Sequence, residues 1–443
     1  MIKKPLLFWS IVVALGGFLF GFDTAVISGA EKSIQAYWQL TPYQHGLTMS
    51  IALFGTVIGA ALGSLPSDRL GRKKTLVIIA ILFLISSVLT ALATNWLVFL
   101  LFRFIGGLGV GASSVTAPIY ISEISSAKNR GRLVALFQFN VVSGILVSYL
   151  SNYLIGVAGG DHSWRLMLGI MAIPSFLFLI LLRFVPESPR WLILHHKKLE
   201  EAKNTLRIID PEQYEEEIAT IIKNNQESKN KAQEKLFSSK YRLPIFLAVT
   251  FAIFNQVSGI NAIIYYAPRI FESSGLATDS SLLSSVAIGA VNLLFTLFAL
   301  SLIDRFGRRK LMLTGTIGLI ATLGAVTYLF LHPSSNPALI VVLLLAYIAF
   351  FAMSQGACIW VFISEIFPNK VRAKGQTLGS LTHWVMATII TFVFPVISQN
   401  LGEGVIFGFF CCMMVLQLGF VVKYMPETKG KSLEELEANL VIH

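Results

Sequence analysis

Apolar positions along this chain do not alternate evenly with polar ones; they gather into long blocks. Twelve runs dominated by Leu, Ile, Val, Phe and Ala cover roughly residues 7–29, 47–67, 75–94, 96–121, 133–157, 165–185, 243–266, 281–303, 311–331, 338–363, 375–398 and 404–424. A membrane span needs about 20 such residues. Lipid offers a free backbone amide no partner, so blocks of this length are expected to be helices. The stretch 186–242 is different: it holds Glu200–Glu201, Glu215–Glu216–Glu217 and many lysines. Its apolar residues Leu199, Leu206, Ile209, Ile218, Ile221 and Ile222 recur at roughly helical spacing, which predicts short amphipathic helices on the cytoplasmic surface. Within it, 223–240 also suits a plain flexible linker. The expected fold class is an all-α polytopic membrane protein. The expected divisions are a six-helix bundle at 1–185, a helical linker at 186–242, a second bundle at 243–425 and a cytoplasmic tail at 426–443.

Composition removes the soluble alternative. Hydrophobic residues make up 55% of the 443 and charged residues 13%, against about 25% charged in a typical soluble domain. The formal net charge of +11 would suggest nucleic acid in a soluble chain. Here its placement decides. Lys3 and Lys4, then Arg69, Arg72, Lys73 and Lys74, then Lys128, Arg130 and Arg132 fall on one side, as do the basic residues of 186–242. Arg305, Arg308, Arg309, Lys310, Lys370, Arg372, Lys374, Lys423, Lys429 and Lys431 continue the pattern, while Lys32 and Arg269 fall opposite. By the positive-inside rule both termini are cytoplasmic. The charge then serves topology, and no nucleic-acid partner is expected. Cys358, Cys411 and Cys412 all lie in apolar blocks and form no disulfide framework. The first block is too long for a signal peptide.

The two halves repeat. Asp68-Arg69-Leu70-Gly71-Arg72-Lys73 follows the second block and Asp304-Arg305-Phe306-Gly307-Arg308-Arg309 the eighth. Ser122-Glu123-Ile124 with Arg130 follows the fourth, and Ser364-Glu365-Ile366 with Arg372 the tenth. Pro186-Glu187-Ser188-Pro189 ends the sixth, and Pro426-Glu427-Thr428-Lys429 the twelfth. Two parallel six-helix repeats are the layout of major facilitator transporters.

With Gly21-Phe22-Asp23-Thr24, Gln256-Val257-Ser258-Gly259-Ile260-Asn261, Tyr265-Tyr266 and Leu433-Glu434-Glu435 added, the chain resembles the sugar porter branch of the major facilitator superfamily over nearly its whole length. It is similar to bacterial proton-coupled sugar symporters. The resemblance implies a sugar and a proton as partners, the lipid bilayer as surroundings, a monomer in the cytoplasmic membrane, and no cofactor, metal or enzymatic chemistry.

Asp23 is the one carboxylate deep inside a predicted block. Burying it costs at least about 2.5 kcal/mol, which marks a functional candidate. Arg103, counted from the nearer edge of its own block, lies at matching depth and is the expected partner; a static ion pair is the plainer alternative. A carboxylate that loses its Arg can take a proton. In the family, facilitators that need no proton tend to carry an amide here, so Asp23 and Arg103 are the expected proton-coupling residues.

In the loops, Gly71 permits a tight turn, and Asp68 is placed to cap the next helix and to pair with Arg72 or with a neighbouring helix. Glu123 and Glu365 each have an Arg seven residues on, Arg130 and Arg372, and such pairs can latch two bundles in one state. Surface charge worth about 0–1 kcal/mol per pair is the bland alternative. The resemblance implies a cytoplasmic gate of Asp68, Arg72, Glu123, Arg130, Glu187, Asp304, Arg308, Glu365 and Arg372. Ser64 stands where the family's loop motif usually opens with Gly.

A sugar needs many hydrogen bonds and an aromatic face. Gln138, Asn255, Gln256, Asn261, Asn292, Trp360 and Trp384 match the family's sugar contacts, although the family more often has Gln at Asn255. His383 stands where Asn or Gln is common beside the pocket Trp. Amide mimicry is the expected role and a second titrating group the alternative. Gly356-Ala357 replaces the family's Gly-Pro break in the tenth block. Gly55, Gly59 and Gly63 are expected to form a close-packing face, with Gly107 and Gly111 on the fourth block serving alike. The expected function is proton-coupled import of a hexose or pentose by alternating access. A uniporter, a polyol symporter and a non-transporting sugar sensor are the alternatives, the last disfavoured by the short tail.

Overall fold

The structure, a computed structural model, describes residues 3–125, 129–160, 162–196, 198–230, 235–332, 336–368, 370–430 and residue 435. Lys128, Lys431 and the Leu433-Glu434 part of the tail motif therefore lie outside the described residues, as does the side chain of Asp304. All regular structure among the described residues is helical.

Among the described residues, twelve helical spans are long and apolar enough to cross a membrane. They are Lys4–Tyr37, Pro42–Leu62, Arg72–Leu92, Trp96–Ile124, Arg130–Ala158, Ser163–Phe184, Ser239–Ser273, Thr278–Ile303, Arg308–Leu331, Pro337–Glu365, Arg372–Leu401 and Glu403–Tyr424, numbered 1 to 12 below. Each matches one expected block. Span 1 departs most: the apolar run fades at 29, yet the helix continues through Glu31 and Lys32 to Tyr37. Those polar residues stay helical because the fold supplies them with partners, as the site below shows.

Contacts divide the chain into two compact units. The first comprises Met1–Asp23, Gly55–Ile145 and Leu168–Gln233. The second comprises Thr24–Phe54, Leu146–Met167 and Glu234–His443.

Within the first unit, span 2 lies against span 4 through glycines, as expected. A Cβ on Gly55 would overlap the Phe104 carbonyl, and one on Gly59 the Leu108 carbonyl. From the other side, a Cβ on Gly111 would strike the Thr56 carbonyl. Span 1 approaches span 5 equally closely, with Gly21 against the Val141 carbonyl and Gly144 against the Phe18 carbonyl. The linker forms helices at Leu199–Ile209 and Tyr214–Asn230. Leu206, Ile209 and Ile218 are buried as their spacing suggested, whereas Leu199 and Ile222 face out. Glu200 and Glu201 in the first turn of Leu199–Ile209, with Arg207 in the last, complement its dipole.

Within the second unit, two spans are broken. Span 7 divides into Arg242–Val257 and Ile260–Ser273 around Gly259, whose φ of +92° few other residues adopt. Span 10 divides into Pro337–Met353 and Gln355–Glu365 at Ser354. That break falls two residues before Gly356, so the helix needs no proline to bend here.

Breaks and prolines free carbonyls that must find donors. Tyr347 Oη donates to the Ser258 carbonyl at 2.9 Å. Tyr149 Oη donates to Ile264, four residues before Pro268, at 2.7 Å. Tyr266 Oη donates to Thr391, four residues before Pro395, at 2.9 Å. All three tyrosine side chains are buried.

Candidate functional site

Asp23 and Arg103 meet in the first unit. Arg103 Nη1 donates to Asp23 Oδ1 at 2.6 Å, with both residues buried. Gly106, one turn along span 4, keeps the space beside the carboxylate open: a Cβ there would strike Ser86 and come within 3.8 Å of Asp23 Oδ1. Arg103 Nε and Nη2 make no hydrogen bond among the described residues. The pair is thus held by one bond, and most of the guanidinium's donors remain uncommitted.

The loop network of the same unit is built differently. Arg72 grips Glu123 with two bonds, Nε to Oε2 and Nη2 to Oε1, each 2.9 Å. Arg72 Nη1 also reaches Asp68 Oδ1 at 3.0 Å and the Ser67 carbonyl at 2.9 Å. Ser188 Oγ donates to Glu123 Oε2 at 2.6 Å. Glu187 receives the backbone amides of Arg72 and Lys73. Gly71, at φ +97°, leaves room for it, since a Cβ there would collide with the Glu187 carboxylate.

The second unit repeats this construction. Arg308 Nη2 donates to Glu365 Oε1 at 2.8 Å, and Thr428 Oγ1 donates to Glu365 Oε2 at 2.6 Å. Glu427 receives the amides of Arg308 and Arg309, and Gly307 at φ +86° faces its carboxylate. Burial alone would raise the Glu427 carboxyl. Amide hydrogen bonds from Lys429, Arg308, Arg309 and Thr428 outweigh it and hold the carboxyl below the usual range.

Three expectations change. The helix after Gly71 has no side-chain cap; Glu187, not Asp68, serves its first amides. The partner of Glu123 is Arg72 rather than Arg130, and that of Glu365 is Arg308. Arg130 Nε instead donates to the Ser122 carbonyl at 3.2 Å, and Arg372 Nε to the Phe367 carbonyl at 3.2 Å. Arg130 also stands within electrostatic reach of the linker's Glu217, whose carboxyl burial and Asp210 push up against Arg130's opposing pull. Spacing of seven residues along the chain carried no information about which guanidinium arrives. Ser188 and Thr428 were missed, although the repeated Glu-Ser and Glu-Thr pairs were visible.

The sugar candidates divide between the units. Gln138 is exposed on span 5 in the first unit. In the second, Asn255, Gln256, Asn261, Trp360, His383 and Trp384 come together. Gln256 Nε2 donates to Asn255 Oδ1 at 2.8 Å and to His383 Nδ1 at 3.0 Å. Asn261 Nδ2 donates to Gln256 Oε1 at 2.6 Å. Both amide hydrogens of Gln256 are thereby used, so the imidazole accepts from Gln256; Nδ1 is the nearer nitrogen, and Nε2 lies 3.4 Å from the same amide. The His383 ring lies 4.8 Å from Trp360 and 5.0 Å from Trp384, edge-on to both. Trp384 is buried, while Trp360 keeps 38% of its surface exposed, enough to present a face. Asn292 is buried on span 8 and makes none of these bonds.

A further polar group escaped the sequence reading. Glu31 of span 1, His45 of span 2 and Arg269 of span 7 are joined in the second unit. Glu31 was hidden because it follows the point where the apolar run fades.

Known proteins are similar to this chain over nearly its whole length. The D-xylose–proton symporter of Escherichia coli strain K12 is 36% identical over 471 residues, covering 97% of this chain and 94% of that protein. The glucose transporter GlcP of Staphylococcus epidermidis is 36% identical over 441 residues, covering 99% and 97%. The solved partially occluded, inward-open xylose transporter XylE of E. coli superposes with a TM-score of 0.86 at 34% identity, covering 97% of this chain and all of that one. The family profile described as "Sugar (and other) transporter" matches residues 9–440, and the chain belongs to that family of multi-pass membrane transporters, with the twelve-helix major facilitator fold.

Proposed function

We propose that this protein imports a monosaccharide, a hexose or a pentose, together with a proton. In this reading it works as a monomer in the cytoplasmic membrane, with both termini inside. The two six-helix repeats expose a central site alternately to each face. Relatives named as a xylose–proton symporter and a glucose transporter support the substrate class.

The observation that carries proton coupling is the contrast between two kinds of ion pair. Arg72 and Glu123 are clamped by two bonds with further partners on each side. Asp23 and Arg103 share one. A buried carboxylate with a single cationic partner is stable while paired, and takes a proton when the partner leaves. Asp23 then alternates between Arg103 and a proton as the sites change face. Sugar binding falls to Gln138 from the first repeat, and to Asn255, Gln256, Asn261, Asn292, Trp360, His383 and Trp384 from the second. The paired loop networks, with Asp304 in the place of Asp68, act as the cytoplasmic gate. Span 7 and span 10 supply the bends, at Gly259 and Ser354.

The scale of the driving force is adequate. One proton moving down 100 mV yields about 2.3 kcal/mol, enough for roughly fifty-fold accumulation of a neutral solute. The test is uptake of radiolabelled hexoses, pentoses and polyols into proteoliposomes, with and without an imposed proton gradient. Concentration of a hexose or pentose only when the gradient is present is the expected result. Equilibration without concentration under either condition would replace symport with uniport, and selective uptake of polyols would replace the sugar.

A further inference from the structure

The second unit carries a groove that neither the sugar candidates nor the loop networks use. It is a cavity of about 430 Å³ among spans 8, 9 and 10, walled by Leu302, Phe306, Leu313, Phe350 and Met353. Phe306, Lys310 and Thr314 on its rim are exposed, so it opens outward from the bundle. Its deep end lies at the break of span 10: Gly315 faces Ser354 there, and a Cβ on Gly315 would strike the Ser354 side chain. Lys310 belongs to the first turn of span 9, at the membrane edge, about 8 Å of helix rise before Gly315.

The basic run after each glycine turn is committed in order. Arg72 and Arg308, the first of each run, hold Glu123 and Glu365. The second reaches a carbonyl: Lys73 Nζ donates to Arg183 at 3.2 Å, and Arg309 Nη2 to Val422 at 2.7 Å. The third, Lys74 and Lys310, is exposed and makes no ion pair or side-chain hydrogen bond among the described residues. Each of these two lysines lines a cavity, but the cavities differ in charge. That of Lys74 also holds Glu187 and Glu201, whereas no carboxylate among the described residues lines that of Lys310. A second ammonium stands nearby, since Lys429 Nζ donates to the carbonyl of Arg305, next to Phe306, at 2.6 Å.

We infer that this groove is a binding site for an anionic phospholipid, with the headgroup phosphate on Lys310 and an acyl chain laid along the apolar wall toward the break at Ser354. Lipid tails are as apolar as the groove, so burial of the chain discriminates little between lipids. The charge at the rim selects the headgroup, as basic pockets between spans do. The matching cavity at Lys74 lacks this selectivity because its own carboxylates answer its lysines. The inference rests on the chain's place in a bilayer and on neither the sugar nor the proton reading.

Native mass spectrometry tests it on the whole protein, reconstituted in vesicles of phosphatidylcholine and phosphatidylglycerol in equal amounts with matched acyl chains. The wild type should carry phosphatidylglycerol in preference to phosphatidylcholine. Lys310→Gln should lower that preference about fivefold, the share of one basic residue at an anionic surface. Thr314→Trp, which keeps Lys310 and fills the groove, should lower phosphatidylglycerol carriage as well. Lys74→Gln removes the same charge at the matching place in the other motif and should leave the preference unchanged. Size-exclusion monodispersity identifies folded variants, and either groove variant alone suffices. No preference in the wild type, a preference that survives in a folded Lys310→Gln or Thr314→Trp protein, or an equal loss in Lys74→Gln overturns the inference. A dimer that a groove variant dissociates would seat a second copy of this chain on the groove and overturn it too.

Discussion

At the scale of single residues, the chemistry is set by how completely each polar group is committed. Gln256 spends both amide hydrogens and its oxygen on Asn255, His383 and Asn261. That network holds the His383 ring against the Gln256 amide, with Nδ1 the nearer nitrogen. On the proposed reading the imidazole does the work of an amide. His383→Gln should keep substantial transport with the same pH profile, checked by uptake across pH; a large shift in optimum would make His383 a titrating group instead. Trp360 stands beside this network with an exposed face. Trp360→Ala should weaken sugar binding by about 1–3 kcal/mol, or roughly 5- to 150-fold in Kd. Equilibrium binding to the purified, monodisperse variant is the measurement, and unchanged affinity would remove Trp360 from the site. The residues of this group were legible in the sequence through their match to the family's sugar contacts. Their mutual hydrogen bonds were not, since Asn261 and His383 reach Gln256 only through the break at Gly259 and the packing of span 11.

At the scale of elements, the broken helices depend on tyrosines far away in sequence. Tyr149 on span 5 satisfies the carbonyl that Pro268 frees on span 7. Tyr149→Phe keeps the ring and leaves the Ile264 carbonyl buried without its donor, a loss of about 1–3 kcal/mol. The thermal unfolding midpoint in detergent should fall accordingly; an unchanged midpoint would mean that another donor serves that carbonyl. Hydropathy located all twelve spans because lipid enforces length. It failed at the end of span 1, where Glu31 stays in a helix because His45 and Arg269 hold it. Spacing along the chain misassigned the loop arginines: the residue that reaches Glu123 comes from the start of span 3, brought there by the turn at Gly71. A pattern along one chain records which groups exist, but the partner of a charge is chosen by packing.

At the scale of the whole molecule, sequence repetition was the strongest signal. Three motifs recur at nearly constant offset, and the structure builds each pair into the same network: Arg72, Glu123, Glu187 and Ser188 in one unit, Arg308, Glu365, Glu427 and Thr428 in the other. Asp23 has no such counterpart in these motifs. On the proposed reading two matched halves alternate and one unmatched ionisable group couples them to the gradient. A gradient can move the cycle only through a group whose proton affinity differs between its states. Asp23→Asn keeps the size and can still accept from Arg103, but cannot carry a proton. The decisive measurement pairs sugar accumulation against an imposed pH gradient with counterflow in its absence, in the wild type and in Asp23→Asn. The account predicts that the variant loses accumulation and keeps counterflow. Gradient-driven accumulation that persists in Asp23→Asn would contradict it.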